Sequence, residues 1–308
     1  MSNEVLNGAL PAAYAARIFD EAKVPYVLWG HWAVGMFGDD KSFPEVEFII
    51  ADAEPNAVTK PLDTAIAALS AKGINRCTNA SCQEWTHDRT PPVTEPFTLE
   101  SPADKEELAS IWADNRTHAV GNAHFHLQPP YTFFTVLTLY TQNRLLWWIP
   151  RLTVQSVTPT DPIFMLTTNV RLPPRGPGGP SGPWTELYPV RILRLAKLAE
   201  ALILLILRDG HRPHVPRCWE RLWRNLLREK RHTDDGQPTA LIVELQETIN
   251  PRFKVIVEDY VRQPDELAAM NGLSWKKLRK EMIETGEMGQ MPSLHPPDVI
   301  DRCGKYLP

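Results

Sequence analysis

Twelve residues, LPPRGPGGPSGP at 172–183, constrain this chain more than any other stretch. Five are Pro and four are Gly. Pro removes a backbone donor and Gly costs the most backbone entropy, so no helix or ladder strand runs through them. The chain changes character across this break. Ahead of it lie short apolar runs of strand length mixed with helical patterns. Behind it the apolar spacing is helical almost throughout, over 189–208, 216–230, 238–248, 250–262 and 274–285. The pattern predicts an α/β (α+β) first domain with a small mixed sheet over 1–170, a linker at 171–184 and an all-helical domain over 185–308, with the working site in the cleft between the two.

In the first part, the order is a helix over 11–23, a strand YVLW at 26–29, a short helix HWAVGMF just after Gly30, and a second strand EVEFIIA at 45–51. A helix over 57–73 follows, stopped by Gly73. INRCTNASC at 74–82 reads as a third strand or a turn, and DKEELASIWADN at 104–115 as a helix inside a polar, Pro-bearing stretch. AHFHLQ at 123–128 alternates as a strand does, and 133–141 and 144–149 are further β-like runs. The aromatics of 131–149 are read as core.

Composition bounds the function. The chain is 43% hydrophobic and 23% charged, enough for a sizeable core. A net charge of −4 argues against general attraction to nucleic acid. The 29 prolines, clustered in 90–102 and 150–183, predict long irregular connections. Four cysteines are too few for a disulfide scaffold. The N-terminus has no basic start leading into an apolar run, and LAKLAEALILLIL at 195–207 is too short and too interrupted to span a bilayer. The expectation is a cytoplasmic protein with reduced thiols and no membrane partner.

Glu45 and Glu47 are the candidate cation ligands. Residues i and i+2 on a strand share a face, so the two like charges repel unless something offsets them. Clustered carboxylates suit Mg²⁺ or Mn²⁺. The alternative is a solvated strand end. Gly30 at a strand-to-helix junction lets backbone N–H groups approach a phosphate, with His31, Lys41 and Ser42 nearby; a tight turn and a packed imidazole explain the same residues without a ligand.

The run Gly30-His31, thirteen residues, then Glu45-Val46-Glu47-Phe48 resembles the nucleotidyltransferase superfamily of the DNA polymerase β type. Further pieces, Cys77…Cys82, HFHL at 124–127, RLLWWIP at 144–150 and LAEALILLILRDG at 198–210, are similar to a largely fungal branch with that fold. The resemblance implies a metal-dependent enzyme that transfers a nucleotidyl group from a nucleoside triphosphate to an acceptor. It implies Glu45 and Glu47 as metal ligands and Gly30, His31, Lys41 and Ser42 as the phosphate turn. Three departures stand out: His31 replaces a small residue, Glu replaces Asp at both acids, and a third carboxylate has no clear counterpart. They leave open a catalytically degenerate binding or regulatory module, or a specialised-metabolism enzyme acting on a small molecule or charged tRNA.

Two further constellations remain. Cys77, Cys82, His124 and His126 together suit tetrahedral Zn²⁺, although their spacing is not that of an established zinc motif. His124 and His126 could instead face Glu45 and Glu47 in a mixed Glu/His site preferring a transition metal, and unpaired thiols beside cleft-lining histidines is the plainer account. On 216–232, Arg217, Arg221, Arg224 and Arg228 form a stripe that, with Lys230 and Arg231, could meet RNA phosphates; a solvated face paired with acids suits the acidic chain better.

Overall fold

The computed structural model describes residues 9–38, 45–54, 58–79, 82, 121–127, 136–174, 182–209, 218–227, 239–262 and 272–287. The chain is a mixed α/β protein with a small mixed sheet and several helices. Helix α1 (Ala9–Glu21) leads into strand β1 (Tyr26–Trp29), the short helix α2 (Gly30–Gly35) and strand β2 (Glu45–Ile50). Helix α3 (Pro61–Ala71) starts later than the sequence suggests. Pro61 takes the first helical position and holds Lys60 extended before it. Gly73, at φ +81°, ends the helix as expected.

Strands β3 (Ala123–His126) and β4 (Val136–Thr141) complete a four-stranded sheet of order β1-β2-β4-β3. β2 runs antiparallel to β1 and parallel to β4, and β3 runs antiparallel to β4. The stretch 74–82 contributes one bridge, Arg76 opposite Phe125, and no strand of its own among the described residues.

Two expectations are corrected. The run 144–149 is not a strand. Gln142–Leu145 forms a single helical turn, α4. The Gln142 side chain holds the turn that follows: its amide donates to the Pro150 carbonyl at 3.0 Å and its oxygen accepts from the Leu152 N–H at 2.8 Å. The helix expected over 189–208 begins only at Leu195, because Arg191–Leu193 is a strand, β6, paired antiparallel with β5 (Phe164–Leu166). Apolar periodicity alone cannot separate a three-residue strand from the helix it abuts.

The remaining helices are α5 (Leu195–Asp209), α6 (Cys218–Leu227), α7 (Ala240–Thr248), α8 (Pro251–Arg262) and α9 (Leu273–Glu284). On α6 the apolar stripe Trp219, Leu222, Trp223, Leu226 and Leu227 is buried as expected. Trp223 meets Tyr260 and Trp275 edge-on, joining α6 to α8 and α9. No helix among the described residues is long and apolar enough to cross a membrane. The helix expected at 104–115, Lys41, Ser42, Arg217, Arg228, Lys230, Arg231 and Cys303 lie outside the described residues.

The sheet has two unlike faces. Tyr26, Leu28, Val46, Phe48 and Ile50 face α1, where Phe19, Tyr26 and Phe48 stack with centroids 5.3–5.6 Å apart. The opposite face carries Trp29, Glu45, Glu47, Thr138, Tyr140, His124 and His126, by strand alternation and register. Helix α6 packs onto its β1 end, with the Trp29 and Trp219 rings 6.2 Å apart.

Candidate functional site

Glu45 and Glu47 do share a face, and they are not at a solvated strand end: they are 3% and 5% exposed. Their backbone positions are about 6.6 Å apart. At an effective dielectric near 20, two charges that close repel by on the order of 2–3 kcal/mol. Burial adds a desolvation cost for each.

Part of the compensation is visible at Glu47. Its Oε1 accepts a hydrogen bond from the Tyr140 hydroxyl at 2.8 Å. Tyr140 pays in turn: its phenol is pushed well above its ordinary pKa, first by burial and then by the Glu47 charge. The Arg144 guanidinium lies 5.8 Å from the Tyr140 ring centroid and donates to Asn122 Oδ1 at 2.9 Å.

The other side of Glu47 explains Gly30. A Cβ at residue 30 would lie 1.6 Å from Glu47 Oε2 and 2.5 Å from its Cδ. Gly30 also adopts φ +68°, in the left-handed region. Both observations demand glycine, so the carboxylate of one strand is seated against the bare backbone of the turn that follows its neighbour. His31, the next residue, is buried, with its Nδ1 3.4 Å from the Asn225 amide nitrogen on α6.

Across the sheet Glu47 stands opposite Thr138, and Thr138 opposite His124. Thr138 is 2% exposed, and its Oγ1 has no hydrogen-bond partner among the described residues. No third carboxylate lies on this face of the four strands.

His124 and His126 are two strand spacings from the carboxylates, about 9.6 Å away across β4. Their nearer company is Cys77 and Cys82. One ligand atom from each of the four residues lies within 4.8 Å of all the others, an arrangement that could hold a metal ion. Cys82 Sγ is 3.3 Å from His126 Nε2, the two imidazoles meet edge to face, and neither Cys77 nor Cys82 is in a disulfide. The cysteines reach the histidines because Cys77 N–H donates to the His124 carbonyl at 2.9 Å, setting the residues after α3 alongside β3.

Gly30 and Glu47 thus meet at one turn, with Glu45 on the same face of β2, and the four sulfur and nitrogen ligands form a second group on the same sheet. Sequence reasoning missed Tyr140, Thr138 and Asn225. For the first two a signal existed: Val136, Thr138 and Tyr140 occupy one phase of β4, while Leu137 and Leu139 occupy the other. No family model, curated protein or solved structure matches this chain.

Proposed function

We propose that the chain is a nucleotidyltransferase-like enzyme of the DNA polymerase β type, moving a nucleotidyl group from a nucleoside triphosphate to an acceptor with a divalent cation. One observation carries the reading. Two buried carboxylates sit side by side on β2, and Glu47 is seated against the left-handed backbone of Gly30. Such a pair costs desolvation in an apolar core, and a divalent cation held by the two acids would offset charge on both. A Mg²⁺ or Mn²⁺ ion held by Glu45 and Glu47 would neutralise charge on the triphosphate.

The chain's own groups do the positioning. Tyr140 donates to Glu47 Oε1 and holds the carboxylate in place. Gly30 leaves room for the Glu47 carboxylate, His31 and Asn225 tie the turn to α6, and the resemblance assigns Lys41 and Ser42 to the phosphate turn. In the same reading Cys77, Cys82, His124 and His126 hold Zn²⁺, whose preference for mixed thiolate and imidazole donors they match.

Titration calorimetry with Mg²⁺ or Mn²⁺ and non-hydrolysable triphosphates tests the leading claim. Cation-dependent binding is expected, weakened at least tenfold in Glu47→Gln while circular dichroism stays unchanged. Absence of cation-dependent binding for all four common triphosphates would falsify it. Binding without turnover supports instead the degenerate binding module, which the prior engagement of Glu47 by Tyr140 favours.

A further inference from the structure

We propose that the Cys77/Cys82/His124/His126 centre is a closed structural clasp that finishes the open edge of the sheet. The proposal rests on the zinc reading of those four residues and adds what the ion does there.

β3 is an edge strand, bonded to β4 on one side only within the sheet. An exposed edge offers unpaired N–H and C=O groups to other chains and frays. The residues after α3 come alongside that edge: Arg76 bridges Phe125, and Cys77 N–H donates to the His124 carbonyl. The chain then turns, with Cys82 N–H donating to the Asn79 carbonyl at 3.0 Å, and Cys82 returns to the strand through its sulfur, 3.3 Å from His126 Nε2. Two side chains of one segment thus meet two alternate side chains of the edge strand. A metal among them fastens strand to segment where a full ladder is absent among the described residues.

The geometry is close to what the ion needs. Tetrahedral Zn²⁺ with bonds near 2.3 Å to sulfur and 2.0–2.1 Å to nitrogen sets its ligand atoms about 3.3–3.8 Å apart. The Cys82–His126 separation already meets that, and the outer limit of 4.8 Å is closed by about 1 Å of side-chain movement. Two thiolates cancel the ion's charge, so the site carries no net charge beside buried His124. Four protein ligands leave no open position for water or substrate, which marks a structural site and not a catalytic one. The clasp also pins both ends of a long connection, since 41 residues separate Cys82 from His124.

Elemental analysis of the full chain purified without chelator is expected to find one zinc per chain. Cobalt substitution is expected to give thiolate charge-transfer bands and the visible bands of four-coordinate Co²⁺. Stripping the metal with a chelator should lower Tm by roughly 10 °C and speed amide exchange in 123–126. Cys82→Ser should weaken zinc binding at least tenfold; the cobalt titration of the unaltered chain keeps the test independent of whether that variant folds. No bound zinc and no four-coordinate cobalt spectrum overturns the zinc reading itself. Stoichiometric metal whose removal moves neither Tm nor exchange at β3, or abolishes turnover alone, overturns the clasp and leaves the zinc reading standing.

Discussion

Both faces of the central sheet carry buried side chains, and they are built from opposite materials. On one, Phe19, Tyr26 and Phe48 pack edge to face, and each large apolar side chain removed from water stabilises the fold by about 1.5–3 kcal/mol. On the other, Glu45, Glu47, Thr138 and His124 occupy equally dry positions, where every charge costs desolvation until something offsets it. A chain that packs one face so completely has shown that it can supply apolar residues at these depths. The acids on the reverse face cost the fold desolvation that apolar residues at the same depth would not.

The contrast can be broken from either side. The largest effect belongs to the apolar face: Phe48→Ala should destabilise the chain by about 3–5 kcal/mol in denaturant titration, through the cavity it leaves between β2 and α1. A loss below about 1 kcal/mol would mean that face is not the foundation described. Gly30→Ala comes next, at roughly 2–4 kcal/mol, because the new methyl meets the Glu47 carboxylate and the backbone is left-handed. Unlike Phe48→Ala, it should also abolish cation-dependent triphosphate binding. A smaller change is expected from Tyr140→Phe, about 1–2 kcal/mol, by leaving Glu47 Oε1 without its donor.

The smallest effect compares the faces through one phenol on each. Burial and an adjacent carboxylate raise the pKa of both Tyr140 and Tyr26 above the ordinary value, Glu47 being the partner of the first and Asp20 of the second. In the unfolded chain these phenols ionise near pH 10. In the folded chain they keep their protons, so their contribution is fully present below pH 10 and is lost as pH rises. Stability should fall on the alkaline side of pH 10, and either Tyr140→Phe or Tyr26→Phe should flatten that slope. A slope unchanged in both variants would remove the electrostatic account.

Much of this architecture was legible in the residues. YVLW, EVEFII, AHFH and VLTLYT announce strands by their apolar runs or alternation, and Gly73 ends α3 as local backbone chemistry requires. What stayed hidden was non-local. The pairing of β5 with β6 joins segments 25 residues or more apart, so RIL reads as the start of a helix until its partner is known. LLWW reads as strand until the Gln142 side chain is seen holding a turn. At the candidate site, the shared face of Glu45 and Glu47 follows from a period of two. That Tyr140 would reach Glu47, or that the histidines would side with the cysteines and not the acids, depends on β4 lying between them.

The parallel pairing of β2 with β4 carries one more consequence. Its first contact, Glu45 with Val136, spans ninety-one positions of sequence. Everything in the motif from Gly30 to Glu47 is therefore synthesised long before the strand that supplies its phenol donor. A nascent chain or fragment halted before Val136 holds both acids and the glycine corner, yet lacks Tyr140 to receive Glu47. The motif is local, but the contacts that hold it belong to the tertiary structure.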